Sequence, residues 1–281
     1  MSSRRRLPRT VEVEVVGQTD EGYGFGTAAG RMCVVKGALP GELVSATVLG
    51  RRKGQIVAIA ETIQTAVDKR TEPFCAVFPR CGGCGTQQWE YPEQLAFKER
   101  WVRRELSKQA VRCESFLPTA HGSTMRYRRR ARLGVRWVDK VDTAYVGFRE
   151  TFGSYVVDMS ICPTLVSGLA ELIGPLRDLV TCMSTPKRIP QIELVAGDEV
   201  RALVLRHLDP LSAKDLELLS AFSNAHDVWV YGQSGGYETI ARHFPPGDPY
   251  AKLAYELPNF DVSLEFGPNE FIQVNSEMNH L

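Results

Sequence analysis

Three cysteines crowd into ten residues at Cys75–Cys84, in the pattern C-x5-C-G-G-C, and no other stretch restricts the folding of this chain as strongly. Gly82 and Gly83 have no Cβ, so the backbone between Cys81 and Cys84 can wrap closely around a group held by the thiols. Such a knuckle needs a fourth ligand, and the best candidate is remote, Cys162 in Ile161-Cys162-Pro163. One bound group would then tie the first third of the chain to its middle.

Four thiolates suit either a structural zinc or an iron–sulfur cluster. Zinc ribbons favour two C-x2-C pairs, and here only Cys81 and Cys84 form one. Three near cysteines plus a remote one followed by proline fit a [4Fe–4S] cluster better. Zinc and unliganded thiols remain the alternatives. The radical-SAM spacing C-x3-C-x2-C is not present. The other cysteines, Cys33, Cys113 and Cys182, read as small buried or incidental residues, since no basic partner stands beside them in sequence. Seven cysteines is an odd number, and the basic start Met1-Ser-Ser-Arg-Arg-Arg leads into no apolar segment. Both observations argue against a secreted disulfide framework and set the expectation of a cytoplasmic protein. No apolar run approaches the ~20 residues of a membrane span.

Net charge is +1, but it is unevenly distributed. Residues 1–150 hold 26 Lys and Arg against 16 Asp and Glu, and the remainder 8 against 17. A basic front half points to a polyanion, most simply nucleic acid; a merely solvated surface is the competing reading.

The chain opens with Thr10–Val16, apolar and acidic residues in alternation, a half-buried strand. A glycine-studded turn follows at Glu21-Gly-Tyr-Gly-Phe-Gly26, then strands near Met32–Val35, Leu43–Leu49 and Gln55–Ile63. Short strands at this density predict a small β-barrel over residues 1–66. Gly22, Gly24 and Gly26 are no dinucleotide loop, because no helical pattern follows them. Arg51, Arg52 and Lys53 fall in a predicted loop suited to phosphates, or serve only to solubilise a turn.

After the knuckle, Tyr91-Pro92 opens a predicted helix to Lys108, with Leu95, Val102 and Leu106 on one face. Residues 125–138 read as a basic strand, paired with 145–149 and 155–159. Its Arg126, Arg128, Arg129 and Arg130 flank Tyr127, an interleaving that suits charge on phosphates and stacking on bases, or else a solvated sheet face. A helix over 165–180, strands at 189–196 and 201–207, a helix at 212–224 and a strand at 228–231 complete an α+β domain over 67–266. Residues 267–281 would begin a third domain. The predicted class is thus β followed by α/β.

The opening segment resembles a TRAM domain, an OB-like RNA-binding barrel, through Glu21-Gly-Tyr-Gly-Phe-Gly26 and Lys36-Gly-Ala-Leu-Pro-Gly-Glu42. The whole chain is similar to the RNA uracil-C5 methyltransferases, in the ribosomal RNA branch that carries both a TRAM domain and a [4Fe–4S] cluster. Cys75-x5-Cys81-Gly-Gly-Cys84-x2-Gln87 matches the cluster motif, and Tyr91-x2-Gln94-x3-Lys98 stands behind it. Val146-Gly-Phe-Arg149 through Val157-Asp-Met-Ser-Ile-Cys162-Pro163 matches the segment with the fourth ligand, and Phe271-Ile-Gln-Val-Asn275 the segment that leads into the methyltransferase domain.

The resemblance implies a cytoplasmic enzyme that methylates uracil C5 in 23S ribosomal RNA with S-adenosyl-L-methionine. In that chemistry an enzyme cysteine adds to C6, C5 takes the methyl group, and a base removes the C5 proton so that the cysteine leaves. Gln273 carries over as a cofactor contact and Phe271 as a wall for the base; Asn275 or Ser276 would cap the next helix. In the family the nucleophile, the base and most of the Rossmann-like cofactor domain lie beyond this segment, past Leu281. The expectation is therefore an N-terminal portion that binds RNA and the cluster and lacks catalysis alone, with a separately encoded methyltransferase portion as a conceivable partner. A stand-alone RNA-binding iron–sulfur module is the alternative.

Overall fold

The computed structural model describes residues 7–281, so the basic start at Met1–Arg6 lies outside the described residues. The chain divides into two compact units. The first runs to Thr119 and includes Glu150–Ser154; the second comprises Ala120–Arg149 and Tyr155–Leu281.

The first unit is built on a closed barrel of β1 (Thr10–Gln18), β2 (Gly24–Ala28), β3 (Arg31–Lys36), β4 (Leu43–Arg52) and β5 (Gln55–Thr65), in the order β1-β2-β3-β5-β4. The alternation in β1 does what its period predicts: Val11, Val13 and Val15 are buried while Glu12 and Glu14 face out. With Val35, Val44, Ala46, Ile56 and Ala58 they fill the barrel. Each fully buried valine or isoleucine among them contributes roughly 1.5–3 kcal/mol.

Two expectations for the barrel need correction. The glycine-rich stretch is not a turn throughout, because Gly24 and Gly26 lie in β2. A Cβ on Gly26 would come within 2.1 Å of the Glu14 carbonyl oxygen, so glycine is what lets β2 close on β1 beside its bulge. Arg51 and Arg52 likewise end β4 rather than occupying a loop. The turn itself is only Lys53-Gly54, both with positive φ (46° and 81°), the arrangement that a two-residue hairpin of right-handed twist requires.

Beyond the barrel, α1 (Tyr91–Lys108) has the predicted limits, with proline in its first turn. Its expected apolar face is not a core element, since α1 buries no residue and Val102 is exposed. Arg104 instead pairs with Asp20 of the loop before β2 at 2.5 Å. Fully buried Glu42 accepts from the Leu39 N–H and from Arg70 Nε and Nη2, at 2.5–2.8 Å, which fixes the segment after the barrel against the β3–β4 turn.

The second unit is a six-stranded sheet made of β6 (Arg130–Val138), β7 (Thr143–Gly147), β8 (Gln191–Ala196), β9 (Arg201–Arg206), β10 (Trp229–Gln233) and β11 (Ala241–Phe244). Its order is β11-β10-β9-β8-β6-β7, antiparallel except for β9 beside β10. Here α2 (Ile173–Cys182) lies against β7, and α3 (Ala213–His226) against β10 and β11. A hairpin of β12 (Leu253–Leu257) and β13 (Val262–Phe266) and the one-turn α4 (Ser276–Asn279) complete the unit. No helix is long and apolar enough to cross a membrane among the described residues.

The basic stretch is a strand only from Arg130, and 155–159 adds no strand beyond a single bridge from Val156 to Arg149. The helix expected from residue 165 begins at Ile173. Backbone bonds from Arg128 to Thr164 and from Val166 to Arg128 hold 164–166 extended, and Gly168 takes φ +83°.

Register sorts the sheet residues. Ala131, Leu133, Val135, Ile192, Leu194, Leu203, Leu205 and Val230 are buried on one face. The other face carries Val195, Ala202, Val204 and Tyr231, which pack with Leu253, Phe266 and Ile272. Further along that same face come Arg132, Gln191, Glu193, Arg206 and Gln233.

Helix α3 opens on a complete capping box between Ser212 and Asp215. Burial raises the Asp215 pKa, but hydrogen bonds from the Ser184 and Ser212 backbone outweigh it and hold the carboxyl below its ordinary range. Asp215→Ala should cost about 2 kcal/mol in urea unfolding. Because the folded pKa is depressed, that contribution is full above about pH 4 and vanishes as acid protonates the folded carboxyl. A variant as stable as the parent at pH 7 would contradict this.

Candidate functional site

Within the first unit the knuckle is held by its own backbone: Phe78 N–H donates to Cys75 O (3.0 Å), and Cys81 N–H to Val77 O (2.9 Å). Gly83 N–H points at Cys81 Sγ (3.4 Å). The unforeseen neighbour is Lys36, fully buried at the end of β3. Its amine donates to Cys81 O and to Thr151 Oγ1 (2.6 Å), and it lies 5.7 Å from the centroids of the Tyr23 and Phe78 rings. Burial pulls its pKa down to about 8, against the pull of the neighbouring Cys81 and Cys84 thiols. Nothing in Val34-Val35-Lys36 marks a lysine that turns inward; only the folded barrel does so.

Cys84 leads into Gln87 and Gln88, whose Gln87 Oε1 and both Gln88 amide atoms are buried without hydrogen-bond partners. In the second unit Cys162 is buried, its Sγ 3.2 Å from Thr164 Oγ1. The donor chemistry at these four positions suits a thiolate-bound metal group. The geometry does not meet it, since no three His, Cys, Asp or Glu side chains converge as a metal site among the described residues. Cys33 behaves as expected of a small core residue, fully buried in β3 with its thiol pushed up to about 11 by burial. Cys113 and Cys182 are exposed.

Arg51, Arg52 and Lys53 are exposed on the β4–β5 hairpin tip. The other basic cluster is engaged within the second unit. Arg126 donates to Ser167 Oγ (2.7 Å) and Glu171 (3.0 Å), Arg128 to Arg130 O (2.8 Å), and Arg129 pairs with Asp198. Arg130 donates to Glu193 Oε2 (2.8 Å) and to the Glu270 carbonyl. The organising group is Glu193, a buried carboxylate that also accepts from Arg132 (3.0 Å) and Gln191 (3.1 Å). Its alternation with Ile192 and Leu194 places it on the opposite face, a period-two signal present in the sequence. Phe271 is 83% exposed and Gln273 is exposed, while Ile272 between them is core. Asn275, not Ser276, caps α4, its side chain accepting from Met278 N–H (3.2 Å).

No family model matches the chain. Its likeness to known proteins is nevertheless extensive: nearly its whole length is similar to part of curated 23S rRNA uracil-C5 methyltransferases. The particular relatives include the 23S rRNA (uracil(1939)-C(5))-methyltransferase RlmD of Nitrosospira multiformis, 39% identical over 97% of this chain and 62% of that one. The RlmD of Thiobacillus denitrificans is 40% identical over 95% of this chain and 62% of its own. The chain therefore spans about three fifths of the length of these curated relatives. In fold it is similar to the crystal structure of Pyrococcus abyssi tRNA (uracil-54, C5)-methyltransferase in complex with S-adenosyl-L-homocysteine. That likeness has a TM-score of 0.65 at 19% identity and covers 96% of this chain and 62% of the other.

Thiol accessibility should follow this geometry. Iodoacetamide at pH 8 is expected to label Cys113 and Cys182 within minutes and to spare Cys33 until the protein unfolds. Peptide mapping that finds Cys33 alkylated in the native protein would contradict its place in the barrel core.

Proposed function

We propose that this chain is the RNA-binding and cluster-bearing portion of an enzyme that methylates uracil C5 in 23S ribosomal RNA. The observation that carries the reading is the kinship to RlmD enzymes at about 40% identity over more than nine tenths of the chain. S-adenosyl-L-methionine would supply the methyl group, with Gln273 contacting it and the exposed Phe271 ring forming a wall for the target base. In the net reaction a C5–methyl bond forms as the sulfur–methyl bond breaks, and the C5 proton leaves to a base. The uracil must leave its stack to reach such a site, and aromatic surface such as Phe271 suits an extruded base.

The metal group of this reading is a [4Fe–4S] cluster on Cys75, Cys81, Cys84 and Cys162. Its role is structural, and Lys36 beside the Cys81–Cys84 turn would offset thiolate charge. The RNA contacts proposed are Arg51, Arg52 and Lys53 on the hairpin tip with Arg126, Arg128, Arg129 and Arg130, in a cytoplasmic protein.

Two measurements test this. Protein purified without oxygen should be brown and hold about four irons per chain, a cluster's complement. Colourless, iron-free protein would remove the cluster. Affinity for a 23S RNA fragment should fall steeply from 50 to 200 mM salt, as expected when lysines and arginines release counterions from phosphates. Replacing Arg51, Arg52 and Lys53 with Gln should flatten the slope by about one for each phosphate left without its cation. Affinity indifferent to salt would sink the RNA reading.

A further inference from the structure

The face of the six-stranded sheet that carries Val195 and Tyr231 is covered over only part of its length. The covering elements are Leu253 and Phe266 of the β12–β13 hairpin together with Ile272. Where that cover stops, the side chains turn polar and the surface opens into a basin of about 390 Å³. Its floor is a row in register across three strands, Gln191 on β8, Arg206 on β9 and Gln233 on β10. Arg132 and Glu193 form the next cross-strand pair, and Gly235-Gly236-Tyr237 makes the rim.

These groups are built in rather than scattered. Gln233 is only 4% exposed, and its amide donates to Gly235 O (3.1 Å); Arg206 Nη1 donates to the same oxygen (2.9 Å). Together they fix the rim loop over the sheet. Glu193 is spent internally, accepting from Arg130, Arg132 and Gln191, so it does not leave a free negative charge in the basin. Arg132 is fixed by Glu193, to which its Nε donates (3.0 Å). A guanidinium has five donors. Arg206 uses one of them on Gly235, and Arg132 still has donors left over beyond Glu193. The local balance is positive, and the Tyr237 ring stands 59% exposed beside it.

Two forked cations, a row of amides and an open aromatic ring match one ligand chemistry, a phosphate joined to a planar heterocycle. We propose that this basin holds one nucleotide of single-stranded RNA, with its phosphate on Arg206 and Arg132 and its base stacked on Tyr237. The site rests on the RNA-binding reading above and adds to it a contact on residues that the basic run 126–130 does not include. Gln191 and Gln233 supply amides at the level of the base edge. A base within a duplex does not suit the basin, because it is stacked on both faces and leaves none free for Tyr237.

The test is fluorescence anisotropy with a fluorescein-labelled, mixed-sequence, single-stranded RNA dodecamer and the full chain. Tyr237→Ala, at an exposed position, should weaken binding about ten-fold, the scale of one base stack, while Tyr237→Phe stays within about two-fold of the parent. Arg206→Gln should lower the salt slope by about one. Circular dichroism would confirm that each variant is folded. If the parent binds RNA with the expected salt dependence and Tyr237→Ala binds equally well, the basin is not a nucleotide site and the general RNA reading stands. If inorganic phosphate at millimolar concentration displaces the dodecamer from the parent and from Tyr237→Ala alike, the site is an anion site without base recognition, which also overturns the proposal. A parent that binds no RNA removes both.

Discussion

Side chains alternate across a β-sheet, so each residue of the second unit has its face decided by register alone, and every feature of that unit follows from it. Ile192, Leu194, Leu203 and Leu205 are committed to one face. Gln191, Glu193 and Arg206, their immediate neighbours in sequence, are committed to the other. A slip of one residue in β8 would drive Glu193 into the aliphatic core at a cost of several kcal/mol, while leaving Arg130 without its partner. The buried Glu193 carboxylate is thus both a register lock and the anchor from which Arg130 and Arg132 are aimed.

In the first unit the comparable devices are buried ions at the edge of the barrel. Glu42 takes three donors in a fully buried position, and Lys36 sends its amine to a carbonyl of the cysteine turn. Ions so placed add little net stability, since desolvation offsets most of the attraction, but each makes alternatives to one local arrangement costly. For Glu42 that arrangement is the turn between β3 and β4. For Lys36 it is the backbone at Cys81, the residue at which a metal ligand is proposed.

Much of this was legible in the amino-acid order. The period-two run at Thr10–Val16 gives a strand with valines inside, and Tyr91-Pro92 marks a helix start that the folded chain keeps. The cysteine spacing and the Phe271–Asn275 segment point to the methyltransferase relatives that sequence comparison also finds. Where local reading failed, a non-local partner decided the outcome. Residues 164–166 are taken out of helix by pairing with Arg128, and α1 shows an apolar stripe that buries nothing. Gly24 and Gly26 look like turn glycines and are strand residues, because the constraint on them is the approach of Glu14 from another strand.

By itself, then, the sequence determined the elements that rest on periodicity and local sterics: the barrel strands other than β2, the span of α1 and the glycine turn between Cys81 and Cys84. Each of these depends on residues within a few positions of one another. Only the tertiary structure decided which polar groups meet. It buried Lys36 beside the cysteine turn, gave Glu193 to two arginines, and set Gln191, Arg206 and Gln233 in one row below Tyr237. Those meetings depend on strand order and register between segments far apart in the chain, and no local pattern encodes which strand will lie beside which.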